Sequence, residues 1–306
     1  MNKKNYKQNL RKSFVLCGIM LAIILLIFVF AANVNNNVAE NMTGRMIYTS
    51  ADNDGTKAYL YDFNNKMKTE LVQFNEYGDV KKLQFINADT IAAICVKDKT
   101  AGIYSSPSGK PATLLYEVEN VKEIIAFDVD EKGENLLVAC ETADGKYNVF
   151  SLTLSGNVIS YISDDDKKVT GACFSDDNKN ILISVLSENT VIYSSKVAGT
   201  PLKAECMIKK DDASIVSAYD KGFFIQHESD VSRYISVKEY ENTLDFCEDN
   251  HKYYGLCAVT DTKFIIASDI NGNMDIFVCN GSNMDAVEAL NDELINIPMD
   301  YLQVKE

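Results

Sequence analysis

The chain has 306 residues, 30 Lys and Arg against 44 Asp and Glu, and a formal net charge of −14. A surface this acidic repels phosphate backbones, so nucleic-acid binding is excluded as the main activity. Two His and no Trp leave little material for histidine-based catalysis.

The first segment, residues 1–13, is basic: Lys3, Lys4, Lys7, Arg11 and Lys12 lie there, and no acid precedes Glu40. The remaining chain therefore carries 25 bases against 44 acids, a net of −19. Residues 14–32 read FVLCGIMLAIILLIFVFAA, nineteen positions without a charge. As a helix at ~1.5 Å per residue this run covers roughly 28 Å, close to the ~30 Å core of a bilayer. The basic flank predicts a cytoplasmic N-terminus with everything after it outside the cytoplasm. A cleaved signal peptide is the alternative, with Val29 and Ala31 before Ala32 as the small-residue pattern. The apolar run is longer than such peptides normally carry, which favours a retained anchor in the lipid bilayer. Residues 33–44 form a polar tether, and 45–306 form one extracytoplasmic domain.

Within that domain a pattern recurs: an apolar run ending in an aromatic or apolar residue, a turn of Asp, Asn, Lys or Gly, then a second apolar run. The anchor positions Phe85, Phe127, Phe174, Tyr219 and Val259 are 42, 47, 45 and 40 residues apart. Third runs follow at Ala101, Tyr147, Val191 and Met274, and fourth runs at Thr113, Val158 and Leu202. Four short strands per unit of about 40–50 residues is the arithmetic of a β-propeller blade. A sandwich would not repeat one turn in this way, and runs such as NLLVAC and ILISVL are too short and too β-branched for a helical solenoid.

The first unit starts at Met46 with the equivalent of a second strand and ends in a fourth over Glu70-Leu-Val-Gln. Its innermost strand is missing, whereas Ile295–Val304 is a spare strand at the other end. Placing the spare strand in the first unit predicts an all-β, six-bladed propeller closed by a C-terminal strand and preceded by one transmembrane helix. Residues 283–294 read as a short outer strand, with a short helix as the alternative.

Phe127-Asp-Val-Asp-Glu-Lys-Gly-Glu-Asn-Leu-Leu-Val-Ala and Phe174-Ser-Asp-Asp-Asn-Lys-Asn-Ile-Leu-Ile resemble the F-S-P-D-G-K-x-I-A-F signature of TolB-like propellers. Ile47–Asp62 is similar to the strand–turn–strand that follows it in those repeats. The turn proline is absent from every copy, and several copies lack the glycine. The resemblance implies the propeller fold and a cell-envelope setting, and leaves the ligand open.

No G-x-S-x-G, H-E-x-x-H, C-x-x-C, Walker or dinucleotide pattern is present. His227 reads as a solvated hairpin-turn residue. Asp245–His251 mixes carboxylates, a thiol and an imidazole, but its spacing matches no zinc loop, and a solvated loop is the simpler reading. Asp52-Asn-Asp-Gly and Asp128-Val-Asp-Glu-Lys-Gly lack the terminal bidentate acid of a calcium loop. No metal, cofactor or catalytic residue is therefore assigned. For an enzyme with paired carboxylates on the central axis, the candidates are Asp79, Asp128 and Asp300. The seven cysteines after residue 32 sit mostly in apolar runs and read as buried thiols rather than a disulfide framework. Three Arg against 27 Lys suit a bacterial chain.

In a propeller, the loops between second and third strands share a face with the connections between blades. That face collects Asp52, Asp54, Asp144, Asp164, Asp165, Asp166, Asp211, Asp212, Glu248 and Asp249. A field of this sign would draw a basic protein partner of the envelope, and a non-catalytic interaction module is the expected function. A carboxylate-based glycan enzyme or a sensor binding a small ligand in the channel is the alternative.

Overall fold

The computed structural model describes residues 43–52, 55–107, 109–209, 213–219, 222–227, 230–236, 239–243, 253–258, 263–268, 270, 275–280, 283–286 and 302–305. The expected cytoplasmic segment, anchor and nearly all of the tether lie outside them. Among the described residues no helix is long and apolar enough to cross a membrane.

The described residues form antiparallel strands in sheets of four. Sheet one holds β1 (Arg45–Asp52), β2 (Gly55–Asp62), β3 (Met67–Glu70) and, from the far end of the chain, β24 (Leu302–Lys305). Sheet two is β4 (Asp79–Phe85), β5 (Thr90–Lys97), β6 (Thr100–Pro107) and β7 (Thr113–Val118). Sheet three is β8 (Val121–Val129), β9 (Asn135–Thr142), β10 (Tyr147–Thr153) and β11 (Val158–Asp165). Sheet four is β12 (Val169–Phe174), β13 (Asn180–Leu186), β14 (Thr190–Lys196) and β15 (Lys203–Ile208). Sheet five is β16 (Ser214–Tyr219), β17 (Gly222–His227), β18 (Asp230–Ser236) and β19 (Glu239–Thr243). Sheet six is β20 (Tyr253–Ala258), β21 (Lys263–Ser268), β22 (Asp275–Asn280) and β23 (Asn283–Ala286).

The apolar runs become strands buried on both faces. Along β9, Leu136, Val138 and Cys140 pack against sheet two, while Leu137 and Ala139 pack against sheet four. Along β5, Ala92 and Ile94 face sheet three, and Ile91, Ala93 and Cys95 face sheet one. Side chains alternate across a strand, so a run apolar at every position serves two interfaces at once. The outer strands β7 and β11 mix exposed and half-buried positions, with Ile162 the one buried residue between them, as expected where only part of a sheet is covered.

The inner strands β4, β8, β12, β16 and β20 each carry a register shift against their second strand. Such bulges bend a strand and increase its twist. At β12 the bulge turns Thr170 outward across the sheet boundary, where its Oγ1 donates to Ala213 O at 2.7 Å. Ser184 Oγ accepts from Ile215 N at 3.1 Å across the same boundary. Gly171 permits this approach: a Cβ there would lie 2.3 Å from Ile215 O.

Of the anchor positions, Phe85, Phe174 and Tyr219 are terminal in β4, β12 and β16, Phe127 lies two residues before the end of β8, and Val259 lies outside the described residues. The closing strand pairs antiparallel with β1, Arg45 opposite Lys305 and Tyr48 opposite Leu302. Its described part is Leu302–Lys305, and residues 287–301 lie outside the described set. Asn283–Ala286 is a strand, in line with the strand reading of that segment.

Two expectations need correction, and two strands went unread. The outer strand of the first unit is Met67–Glu70, not Glu70–Gln73, because the chain turns into a 3₁₀ segment at Val72–Tyr77. That turn drives Phe74 to 0% exposure between sheets one and two. His227 is the last residue of β17, opposite Asp230 and half-buried, rather than a solvated turn residue. The third and fourth strands of sheet five, β18 and β19, carry too weak an apolar pattern to stand out in the sequence.

Two outcomes follow for the full chain. Gly171→Ala should lower stability by about 1–3 kcal/mol, since the added methyl meets backbone rather than a movable side chain; urea unfolding measures it. Removing residues 302–306 should bare the inner edge of β1 and cause association, visible as concentration-dependent light scattering. A deletion that stays monodisperse with an unshifted midpoint would show that β24 contributes nothing.

Candidate functional site

The hairpin joining β9 and β10 is built around Thr142. Its N–H donates to Lys146 O at 2.8 Å, and its hydroxyl donates to Asp144 Oδ1 at 2.6 Å. That hydroxyl bond holds the exposed Asp144 carboxyl below the usual carboxylate range. The hairpin leans on the β7–β8 connection, with Ala143 N donating to Asn120 O at 2.8 Å and Asn120 Nδ2 reaching Asp144 Oδ1 at 3.5 Å. This second-to-third-strand hairpin therefore lies beside an inter-sheet connection.

On the same side the β11–β12 connection presents three consecutive carboxylates. Asp166 pairs with Lys146 Nζ. Asp165 turns back, its Oδ1 accepting from Lys167 N at 2.9 Å. Asp164 sits at φ 50°, a left-handed conformation that Asp tolerates, and its N–H donates to Asn148 Oδ1 at 3.0 Å. The bond to Asp166 and the fields of Asp144 and Asp164 hold the Lys146 ammonium above its ordinary pKa. Asp166 thus bonds Lys146 directly, Asp144 and Asp164 act on it through their fields, and Lys167 and Lys168 follow in the same connection.

Of the ten acids expected on this face, Asp144, Asp164 and Asp166 come together, and Asp165 sits beside them in a capping role. Asp52 ends β1. Asp54, Asp211, Asp212, Glu248 and Asp249 lie outside the described residues, as do Asp245–His251 and Asp300. The convergence on Lys146 was not visible in the sequence, because Lys146 and Asp166 are twenty positions apart and meet only through the β10–β11 pairing.

A second polar cluster lies on the inner strands. Asp128, near the end of β8, accepts from Phe174 N at 2.8 Å through Oδ2 and from Val129 N at 2.9 Å through Oδ1. Gln84 on β4, 2% exposed, donates to Phe127 O at 3.0 Å and approaches Asp128 Oδ1 at 3.4 Å. Cys173 on β12 is buried beside Asp128. Asp79 is elsewhere, at the opposite end of β4, where Oδ1 accepts from Thr56 N at 3.2 Å and Oδ2 meets Lys81 at 3.3 Å. Gln84 and Asp79 are five positions apart on one strand, roughly 16 Å. Asp79 and Asp128 are therefore not a carboxylate pair at the ~5–9 Å that glycoside hydrolysis needs.

Among the described residues Cys95, Cys140, Cys173 and Cys279 are buried and Cys206 and Cys257 half-buried, and none of the six is joined in a disulfide. Burial pushes Cys95 up to about 12 and Cys140 to about 11, and raises Cys173 well above its ordinary value.

Neither a family model nor a curated protein matches the sequence. Solved structures do match in fold. TolB from Acinetobacter baumannii aligns with a TM-score of 0.62 at 13% identity over 79% of this chain, which spans only 63% of that protein. A chain of a nidogen/laminin complex aligns at 0.63 and 8% identity, covering 85% of this chain and 98% of that one. The β-propeller domain of the trilobed protease from Pyrococcus furiosus aligns at 0.53 and 14%, covering 80% and 82%. At such identities the likeness concerns the fold alone, and that fold is a TolB-like β-propeller.

The thiols provide a check on packing. With its pKa near 11, Cys140 holds a thiolate population at neutral pH ~100-fold below that of a free cysteine. Alkylation resolved by mass spectrometry should label Cys95, Cys140 and Cys173 at least ~100-fold more slowly in the native chain than in urea. Labelling at similar rates in both states would show that these sheet interfaces open readily.

Proposed function

We propose that this chain is a membrane-anchored, six-bladed β-propeller of the cell envelope that binds a basic protein partner through its acidic loop face, without catalysing a reaction. In this reading each four-stranded sheet is a blade, and β24 closes the ring inside sheet one. Residues 14–32 hold the domain to the bilayer, residues 1–13 remain in the cytoplasm, and 45–306 work outside it.

The observation that carries the binding role is the gathering of Asp144, Asp164 and Asp166 around the single Lys146. Asp166 bonds Lys146 while Asp144 and Asp164 add their fields, and local hydrogen bonds hold the Asp144 and Asp165 carboxylates in place. A partner's Lys or Arg would meet acceptors already held in place, and such complementarity speeds encounter and sets register more than it adds affinity. That a fold relative was solved in a nidogen/laminin complex fits the same use of the architecture.

Cross-linking intact membranes and recovering the chain should return a specific protein, and raised salt should weaken its capture. Replacing Asp164, Asp165, Asp166, Asp211 and Asp212 by Asn should abolish capture while leaving the unfolding free energy within about 1 kcal/mol of the parent's. Undiminished capture would remove the acidic face from the account. Protease added to whole cells should digest the domain and spare residues 1–32; a protected domain would place it in the cytoplasm.

A further inference from the structure

We infer that the third-to-fourth-strand hairpins of sheets one to four form a rim that docks on a bilayer surface of anionic lipid, with the acidic loops held on the far side. The inference rests on the membrane anchor proposed above and not on the protein partner.

Contacts put these hairpins on one side of the molecule. Gly133, in the β8–β9 turn, lies against Ile86 in the β4–β5 turn. Glu131 N, in the same turn as Gly133, donates to Asn178 Oδ1 in the β12–β13 turn at 3.0 Å. The first-to-second turns of sheets two, three and four therefore share a side. Strands of an antiparallel sheet alternate in direction, so each third-to-fourth hairpin returns to the end where the first-to-second turn lies. Sheet one joins them through Arg45 at the start of β1, whose guanidinium lies 5.9 Å from the centre of the Phe85 ring at the end of β4. Gly44 O, one residue before β1, accepts from Phe63 N at the β2–β3 hairpin at 3.0 Å. The chain thus enters the domain beside this rim. Residues 33–44 separate that point from the proposed anchor, a reach of roughly 40 Å at most.

The rim has its own composition. Residues 63–66, 108–112, 154–157 and 197–202 contain no acid, and Lys66, Lys110 and Lys196 are exposed in or beside them. Six large apolar side chains stand exposed among the described residues, and four lie in or within two residues of these hairpins: Met67 at 57%, Leu114 at 46%, Leu154 at 42% and Val158 at 41%. The tips stand clear of the rest, since a Cβ on Gly109 or Gly156 would meet nothing within 4 Å. The first-to-second turns on this side lie nearer the inner strands and carry acids, Glu131, Glu134, Asp176 and Asp177 among them. Contact is therefore made by the outer rim rather than by the whole side.

Exposed apolar side chains beside lysines suit a bilayer surface: the former leave water at headgroup depth, and the latter meet anionic headgroups. The opposite loops are repelled by the same surface. Asp144 and Asp166 stand at the far end of sheet three, about 27 Å away along the eight residues of β9. That exceeds the ~8 Å Debye length at physiological salt, so their field is largely screened at the rim. The short tether keeps the rim at high local concentration near the lipid, and a weak contact then suffices.

Met67 and Met207 supply probe and control in one molecule. Both are exposed, at 57% and 60%, but Met207 lies at the end of β15 away from its hairpin. The full chain, labelled with ¹³C-methyl methionine, is placed in nanodiscs of phosphatidylglycerol and phosphatidylcholine. Lipid carrying a gadolinium headgroup should erase the Met67 methyl signal and spare that of Met207. Lys66→Gln, Lys110→Gln and Lys196→Gln together should cut the docked population on the order of 100-fold, at ~5-fold per lysine, and restore the Met67 signal. A Met67 signal that survives in the parent, one still lost in the triple variant, or Met67 and Met207 lost together would overturn the docking while the anchor stands. A chain that alkaline carbonate strips from membranes would overturn the anchor and the docking with it.

Discussion

Each interior sheet in this chain is covered twice, and that requirement shapes the rest of the molecule. A sheet with one solvated face can alternate apolar and polar residues, but β5, β9 and β13 cannot. Their odd positions face one neighbouring sheet and their even positions the other. Each apolar run therefore ties two interfaces, and truncating one of its residues opens a cavity at only one of them. A large-to-small change such as Ile183→Ala is of the kind that costs about 2–5 kcal/mol, and it would loosen the boundary between sheets three and four while leaving that between four and five packed.

Apolar packing alone does not fix how one sheet is set against the next, since a hydrophobic face tolerates sliding. The directional element comes from a small set of polar contacts across the boundaries. Gln84 reaches Phe127 O, Asp128 receives Phe174 N, Thr170 reaches Ala213 O, and Ser184 receives Ile215 N. In all four a side chain of the earlier sheet engages backbone of the next. Backbone partners make the stitches independent of what the neighbouring side chains are, which suits a fold whose repeats have drifted far apart in sequence. The inner-strand bulges aim some of these side chains.

The repeat was legible because its signals are local. Phe85, Phe127 and Phe174 precede turns rich in Asp, Asn and Lys, and NLLVAC and NILISVL announce strands covered on both faces. Polar runs were harder to read: Asp230–Thr243 makes two strands without an apolar face strong enough to notice. The 3₁₀ segment at Val72–Tyr77 was hidden for another reason, because a strand and a buried turn can both place Leu71 and Phe74 inside. At the candidate site, Asp164–Asp166 are adjacent in the sequence, but the pairing of Asp166 with Lys146 depended on the β10–β11 register. The Gln84–Asp128 contact was less accessible still. Only Asp128 stood out as an acid near the axis, and its neutral partner lies 44 positions away.

The pairing of Arg45 with Lys305 has a consequence for how the molecule comes into being. Bringing those ends together closes a loop of about 260 residues, an entropic cost of roughly 5 kcal/mol that a four-residue ladder repays poorly by itself. The clasp becomes favourable only after the intervening sheets have assembled and carried the two ends to each other. During synthesis the first sheet accordingly waits, one strand short, until Leu302–Lys305 has left the ribosome. A product broken off between β23 and β24 would keep a permanently open seam.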